Sequence, residues 1–172
     1  DAIANAERPL MICGVEVLHH DAADAVSEVA HRLSIPTLTS YKAKGVIAED
    51  DLLSLGGHGL SPKSFKLLKP LIDDADVIVL AGYDPIEMRI DWRHVWQPDT
   101  EGKTVIEISA QPNRHFVHQA DISFVCDVGA GLRALTKGLN GKPTWADGKA
   151  LKMRESLKAA FPTDEVWGPA AV

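Results

Sequence analysis

The length and charge of the chain exclude several functional classes. Its 172 residues, 45% of them hydrophobic, are enough for about one domain with its own core. A net charge of -6 argues against a protein that binds nucleic acid or anionic membranes, since both need a positive surface. No apolar run approaches the roughly 20 residues that span a bilayer and no signal-peptide pattern begins the chain, so we expect a cytoplasmic protein.

The chain ends and the two cysteines carry further expectations. The chain begins at Asp1 and ends in a segment with proline and glycine of the kind that links domains, so we expect a piece of a longer protein. Cys13 and Cys126 lie far apart, each in an apolar run. We interpret both as small buried hydrophobic residues rather than as a disulfide or a CxxC pair.

The first part of the chain predicts a strand, a helix and a second strand. A continuous apolar run over 9–15 predicts the first strand. Apolar residues at helical spacing over 21–33, behind a cap at Asp21, predict the helix. A short run with β-branched residues over 35–39 predicts the second strand.

A glycine-rich segment over 42–60 predicts a loop that leads to the next helix. That helix begins at Ser61 and Pro62, a serine cap followed by a proline in the first turn. Pro70 is expected to kink this helix or to end it early, because proline lacks the N–H that a helix interior needs.

Three more apolar runs, over 77–81, 104–108 and 122–126, predict strands, and a helix is expected from Gly131 to about Leu139. Continuous apolar strands separated by helices are typical of a parallel sheet that is covered on both faces. The sequence therefore predicts a three-layer, doubly wound α/β domain. Its Rossmann-like parallel sheet should have about six strands.

In open parallel sheets the ligand crevice lies beyond the carboxyl ends of the strands. Glycines there let a backbone approach a phosphate, and N–H groups supply the donors that an anion needs. The residues expected at these ends are Gly14, Val15, Glu16, Thr39, Ser40, Lys42, Lys44, Gly45, Gly82, Tyr83, Asp84, Ser109 and Asp121. Their chemistry suits a nucleotide.

The best-known nucleotide fingerprints are absent. The segment after the first strand reads CGVEVLHH, which is not G-x-G-x-x-G, and no P-loop occurs, so a standard dinucleotide dehydrogenase or P-loop NTPase is not expected. The second glycine cluster, LSLGGHGLSP over 53–62, is either a flexible loop or a contact surface for a phosphate or ribityl group. His58 within it is either solvated or functional.

Other conspicuous residues favour structural roles. His115 and His118 form H-x-x-H on a predicted surface helix with no third ligand nearby, so we expect no metal site. Met88, Trp92 and Trp96 are spaced by four and predict one buried face of a short helix.

The order of these segments resembles the middle domain of thiamine-diphosphate-dependent enzymes. The resemblance covers nearly the whole chain and is carried by RPLMICGVEV, IPTLTSYKAKGVIAEDDLLSLGGHG, DADVIVLAGYDPIE and TVIEISAQPNRHFVHQADISFVCDVGAGLRAL. The group contains acetolactate synthase, pyruvate oxidase, oxalyl-CoA decarboxylase and benzoylformate decarboxylase. Within it, GYDPIE is most similar to the catabolic, FAD-independent acetolactate synthases.

The resemblance implies a parent enzyme with three α/β domains, of which the middle one is of the DHS-like NAD/FAD-binding type. One outer domain binds the aminopyrimidine of thiamine diphosphate and supplies a glutamate, and the other binds the diphosphate through Mg²⁺ with a Gly-Asp-Gly motif. This chain lacks that motif, so the resemblance implies a fragment without catalytic residues. We expect 1–142 to be the central domain and 143–172 a helix and linker toward the absent diphosphate-binding domain. The solvated side of that helix should be formed by Lys149, Lys152, Arg154, Glu155 and Lys158.

The resemblance also implies the parent's reaction and partners. An acetolactate synthase decarboxylates pyruvate and joins the product to a second small 2-oxo acid. The cofactors, thiamine diphosphate and Mg²⁺, would be held by the absent domains. The partners would be those two domains and further copies of the parent in a homo-oligomer.

In relatives whose middle domain holds a ligand, that ligand is FAD or an ADP-like group. Beside it the resemblance places Gly14 at the pyrophosphate, Thr39, Lys44 and Gly45 at the centre, Gly57 and His58 at the ribityl chain, Gly82 and Asp84 on the opposite wall, and Asp121 and Ile122 at the adenine.

Where such relatives read Ile-Asp-x-Asp-Pro, this chain has Ser109 and Gln111 in place of the two acids. Two lost charge-assisted hydrogen bonds, each worth about 1.5 to 3 kcal/mol, would cost several powers of ten in affinity. FAD, ADP or no ligand therefore all remain open for this domain.

Two other interpretations are kept. The chain is a stand-alone FAD- or ADP-binding module without thiamine chemistry, related in fold to electron-transfer flavoprotein or sirtuin-type domains. Or it is the middle domain of another member of the group, such as a 2-oxo acid decarboxylase or oxidase. The reading frame on either side of this segment distinguishes a domain from a stand-alone module.

Overall fold

The computed structural model of the chain describes residues 1–88, 95–96, 102–115 and 117–162. Its strands are β1 (Pro9–Cys13), β2 (Thr37–Ser40), β3 (Ser54–His58), β4 (Val77–Ala81), β5 (Thr104–Ser109) and β6 (Ile122–Val125). They form one parallel sheet in the order β3-β2-β1-β4-β5-β6. The chain reverses its direction of winding between β1 and β4, and open α/β sheets bind ligands at such a switch point.

Helices cover both faces of this sheet. They are α1 (Ala2–Asn5), α2 (Glu16–His19), α3 (Ala23–Leu33), α4 (Pro62–Asp74), α5 (Val128–Leu135) and α6 (Lys149–Ala160). Alternate residues of a strand point to opposite faces. Met11 and Cys13 accordingly join the core beneath α3 and α5, while Leu10 and Ile12 join the core beneath α4. The predicted three-layer, doubly wound fold is confirmed.

The central strands agree well with the sequence prediction. The run over 77–81 is strand β4 at its predicted bounds, and β1 and β5 differ from their predictions by one or two residues. All five residues of β1 and of β4 are buried, which is why each reads as an unbroken apolar run.

The glycine-rich segment 42–60 is not a loop throughout, because Ser54–His58 forms the edge strand β3. Its register against β2 shifts between Thr37 and Thr39, and Gly56 in this stretch has a φ of 84°. A glycine pair weakens the strand signal in sequence, and an edge strand needs less apolar character than a central one. The loop prediction was therefore wrong for these five residues.

Two predicted helix features were wrong, and a third is tested only in part. Helix α4 continues past Pro70 to Asp74, so Pro70 does not end it early, and a kink at Pro70 stays a prediction. Asp21 does not cap α3, since Asp21 has a φ of 48° and the helix starts one residue after Ala22. Helix α5 starts three residues before the predicted Gly131, because the Asp127 side chain caps it by accepting the Ala130 N–H at 2.8 Å.

The C-terminal helix α6 packs on the sheet domain. Arg154, predicted on the solvated side, is buried and donates to the carbonyls of Asp51 at 3.0 Å and Asp50 at 2.7 Å. Just before the helix, the buried Trp145 donates from its indole N–H to the Pro9 carbonyl at 2.8 Å. A surface assignment fails for Arg154 because its partners are backbone groups, which leave no trace in the sequence. The division at residue 142 stays a prediction.

The far edge of the sheet differs from its centre. All four residues of β6 are exposed, including the apolar Ile122, Phe124 and Val125, although the sequence predicts a strand covered on both faces. The two cysteines are free, with Cys13 buried and Cys126 half-buried.

Met88 and Trp96 are buried, as their spacing predicts, and Trp92 lies outside the described residues. Within the described ranges, none of the helices has the length and apolar character needed to cross a bilayer.

Candidate functional site

Two glycines, Gly14 and Gly82, lie at the switch point, and each packs against the backbone segment that contains the other. Gly14, after β1, donates its N–H to the Ala81 carbonyl at 2.9 Å, and the Glu16 N–H donates to the Gly82 carbonyl at 3.1 Å. A Cβ atom on Gly14 would lie 2.3 Å from the Gly82 oxygen and 2.4 Å from the Tyr83 Cα. Both glycines therefore permit a close approach of two backbone segments rather than an approach of the backbone to a ligand.

A fully buried carboxylate lies beside this contact. The Glu87 side chain is 0% exposed and follows the turn after β4. Its oxygens accept the Val15 N–H at 3.1 and 3.2 Å, the Asp84 N–H at 3.3 Å and the Ser40 hydroxyl. Glu87 and Asp84 also form a capping box around the short 3-10 turn Pro85–Glu87. One carboxylate thus joins the last residue of β2 to the segments after β1 and β4.

A second glutamate, Glu16, binds the backbone just after strand β5. The Glu16 carboxylate, on α2, accepts the Ala110 N–H just after β5 at 2.9 Å. Glu107, inside β5, is buried and accepts the Ser123 hydroxyl at 2.9 Å. Burial raises the pKa of Glu107, and the negative charge of Glu16 raises it further. The N–H groups of Val15, after β1, and of Ala110, after β5, are thus both bound by the protein's own carboxylates.

Two of the predicted residues, Thr39 and Gly57, lie on β2 and β3, and Lys44 and Gly45 lie in the segment between these strands. Thr39 is buried and pairs with Gly57 across the two strands. Lys44 contacts this pair, since its Cγ would lie 3.4 Å from a Cβ on Gly57, and its amino group is 3.6 Å from the Glu49 carboxylate. Gly45 has a φ of 93°, in the left-handed region that favours glycine.

His58 is buried at the end of β3, so the interpretation of a solvated loop histidine is wrong. Its Nε2–H donates to the Leu55 carbonyl at 2.6 Å, and its Nδ1 has no hydrogen-bond partner among the described residues. Burial lowers the pKa of His58 because the charged form loses hydration. His58 also lines a groove of about 710 Å³ beside α6, with Tyr41 and Phe161.

The H-x-x-H pattern is not on a surface helix, since residues 113–115 and 117–120 are not helical. His115 Nε2 lies 3.1 Å from the Asp84 carboxylate, whereas His118 is buried and its Nδ1 lies 2.7 Å from the Tyr83 hydroxyl. The two histidines therefore face different partners. The described part of the chain contains no group of three or more His, Cys, Asp or Glu side chains that could hold a metal ion.

Asp121 and Ile122 lie at the opposite end of the sheet from Gly14. Strands β5 and β6 are parallel, and the Asp121 carboxylate accepts the Val105 N–H near the start of β5 at 2.7 Å. A residue that precedes a parallel strand lies at its amino end, so the expectation that Asp121 stands at the carboxyl ends was wrong. Ser109 does lie at a carboxyl end, where its hydroxyl donates to the Gln111 carbonyl at 2.6 Å. Nucleotide binding by these residues stays a prediction.

At the switch point, the structure offers a pyrophosphate of FAD or ADP neither a free Val15 N–H nor open space beside Gly14. The Val15 N–H, which would face a phosphate after β1, already donates to Glu87, and a Cβ on Gly14 would meet backbone atoms. Sequence reasoning missed Glu87. The only local signal was its position three residues after Asp84, the spacing of a capping box.

The fold and the sequence match known proteins. The family described as "Thiamine pyrophosphate enzyme, central domain" matches residues 1–135. The chain is similar to the 3D-(3,5/4)-trihydroxycyclohexane-1,2-dione hydrolase of Clostridium botulinum, at 32% identity over 80 residues that cover 46% of this chain and 12% of that protein. It is similar to the acetolactate synthase large subunit of Parasynechococcus marenigrum, at 27% identity over 147 residues that cover 80% of this chain and 22% of that protein.

Among solved structures, the chain resembles a candidate thiamin diphosphate-dependent enzyme isolated from Mycobacterium smegmatis. The TM-score is 0.63 and the identity 26%, over 84% of this chain and 27% of that chain. The matches thus cover between 12% and 27% of these three proteins. Since the family match takes in most of the 172 residues, this chain belongs to the family of thiamine pyrophosphate enzyme central domains.

Proposed function

We propose that this chain is the central domain of a larger thiamine-diphosphate-dependent enzyme of the acetolactate synthase type. The proposal rests on how much of this chain one relative matches. The match to an acetolactate synthase large subunit runs over 80% of the chain, whereas the match to the dione hydrolase covers 46%. In the parent enzyme, pyruvate would be decarboxylated and its product joined to a second 2-oxo acid.

The cofactor chemistry belongs to other domains of the parent in this proposal. Thiamine diphosphate supplies the electron sink for decarboxylation when it is bound, and Mg²⁺ holds its diphosphate. The described residues offer no metal-binding cluster, and the sequence has no Gly-Asp-Gly motif. The described residues therefore offer no ligand set for Mg²⁺ or for the diphosphate that it holds. The part of this chain in catalysis would be to hold the two outer domains in position, in a parent that is itself a homo-oligomer.

The test begins with the reading frame on either side of this segment. The proposal expects an α/β domain with a glutamate upstream and a Gly-Asp-Gly motif downstream. The product of the complete frame, supplied with pyruvate, thiamine diphosphate and Mg²⁺, should form acetolactate. The 172-residue chain alone should not. Stop codons close to both ends, or carboligation by the chain alone, would overturn the proposal and favour a stand-alone module.

A second candidate is a parent that hydrolyses a cyclic 1,2-dione. It is favoured by the higher identity of 32% to the trihydroxycyclohexane-1,2-dione hydrolase. The two candidates differ in one product, because decarboxylation of pyruvate releases CO2 and hydrolysis of a ring adds only water. Incubating the complete enzyme with each substrate, and measuring CO2 release and ring opening in parallel, assigns the parent to one reaction or the other.

A further inference from the structure

Three hydrogen-bond donors converge at the carboxyl ends of β1 and β2. They are the N–H of Val15, the N–H of Asp84 and the hydroxyl of Ser40, and they come from three separate segments of the chain. Ser40 is fully buried. Converging backbone N–H groups with a hydroxyl are the arrangement that binds an oxyanion, because each donor places partial positive charge toward one point.

In the native protein this point is filled from within the chain. Both oxygens of Glu87 lie there, and the described ion pairs include no Lys, Arg or His partner for Glu87. A buried carboxylate without donors would be strongly unfavourable, so these donors provide its stabilisation. The Tyr83 hydroxyl is buried close by, and its pKa is raised by burial and further by the negative charge of Glu87.

We propose that this donor cluster is an anion-binding site whose occupant is the Glu87 carboxylate, and that the site binds a free carboxylate or phosphate when that side chain is removed. The site takes the oxygens of one anionic group. While Glu87 holds it, the phosphate of a nucleotide has no donors to bind there. This inference does not depend on the thiamine assignment, since it rests on the contacts of Glu87 alone.

The site has a structural consequence. Glu87 lies 72 residues from Val15 and 47 residues from Ser40 in sequence, so its carboxylate ties together segments that local interactions do not connect. Removing the side chain leaves buried donors without acceptors. On a chain of this size, two buried donors left without an acceptor lower the Tm by about 4 to 24 °C.

The test is chemical rescue of Glu87→Ala. The Tm of this variant should fall, and sodium acetate, formate or phosphate should raise it along a saturable curve, because a ligand that binds only the folded state stabilises it. Sodium chloride at matched ionic strength should not. The exposed Glu155→Ala variant serves as the control and should show neither the fall nor the rescue.

Two further measurements keep the test decisive. In Glu87→Gln the side chain keeps its volume but directs an NH2 group at N–H donors, so the Tm should fall and acetate should not restore it. If Glu87→Ala does not fold in chloride, folding should be recovered in acetate. The Val15 amide resonance of Glu87→Ala should move on adding acetate. Equal effects of acetate and chloride on Glu87→Ala, or a Glu87→Gln variant as stable as the wild type, would overturn the proposal.

Discussion

Replacing Gly14 with alanine tests whether the glycine serves the fold or a ligand. The new Cβ would lie 2.3 Å from the Gly82 oxygen and 2.4 Å from the Tyr83 Cα, and real Cβ atoms essentially never come within 3.0 Å of such neighbours. Both are backbone atoms of a turn held by the Gly82 N–H, which donates to the Ile108 carbonyl at 2.7 Å. The turn must shift, and overpacking with a weakened hydrogen bond should cost about 3 kcal/mol.

The matched control is Gly57→Ala. There the nearest atoms to a new Cβ are the Lys44 Cγ at 3.4 Å and the Thr39 Oγ1 at 3.5 Å, which are ordinary contacts. This change should be neutral or stabilise by up to about 1 kcal/mol, because alanine has fewer unfolded conformations than glycine. The measurement is urea unfolding followed by far-UV circular dichroism. If the free energy of unfolding of Gly14→Ala stays within about 0.5 kcal/mol of the wild-type value, there is room for a side chain at the switch point, and Gly14 is not needed for the close backbone contact.

Burial lowers the pKa of His58 from 6.5, so below this pH the unfolded chain binds more protons than the folded chain. The free energy of unfolding should therefore fall as the pH falls through this range. His58→Gln should make urea midpoints less dependent on pH below 6.5; an unchanged pH dependence would contradict this. Arg154→Ala removes two hydrogen bonds to loop carbonyls and should lower the free energy of unfolding in urea by about 1.5 to 3 kcal/mol. The control Lys152→Ala, at an exposed position, should lower it by less than about 0.5 kcal/mol. A thiol reagent should label the half-buried Cys126 in the folded protein, but Cys13 only after unfolding, since burial raises the pKa of the Cys13 thiol. Equal labelling rates of the two cysteines in the folded protein would refute this.

Strands with strong local signals could be predicted from the sequence, and strands that depend on their neighbours could not. The strands β1 and β4 are buried on both faces, so every residue is apolar and each strand stands out in the sequence as an unbroken run. Strand β3 contains Gly56 and Gly57, which have little strand preference, and it exists because β2 offers it a pairing edge. That edge is a property of the sheet and not of residues 54–58.

The same distinction applies to the candidate site. Gly14 and Gly82 were predicted at strand ends, and the structure places both there, but the sequence could not tell that each glycine makes room for the other's segment. Glu87 was missed because its donors come from distant parts of the chain, and a lone glutamate after a turn looks exposed. His118 was assigned to the surface, although the Tyr83 hydroxyl gives it a buried partner.

The protein's own groups fill the switch point between β1 and β4. The direct measurement is the amide NMR spectrum of the wild-type chain during titration with ADP and, separately, FAD. The resonances of Gly14, Val15 and Gly82 should not move, because the Val15 N–H already donates to Glu87. A saturable shift of these three resonances with either nucleotide would contradict the claim.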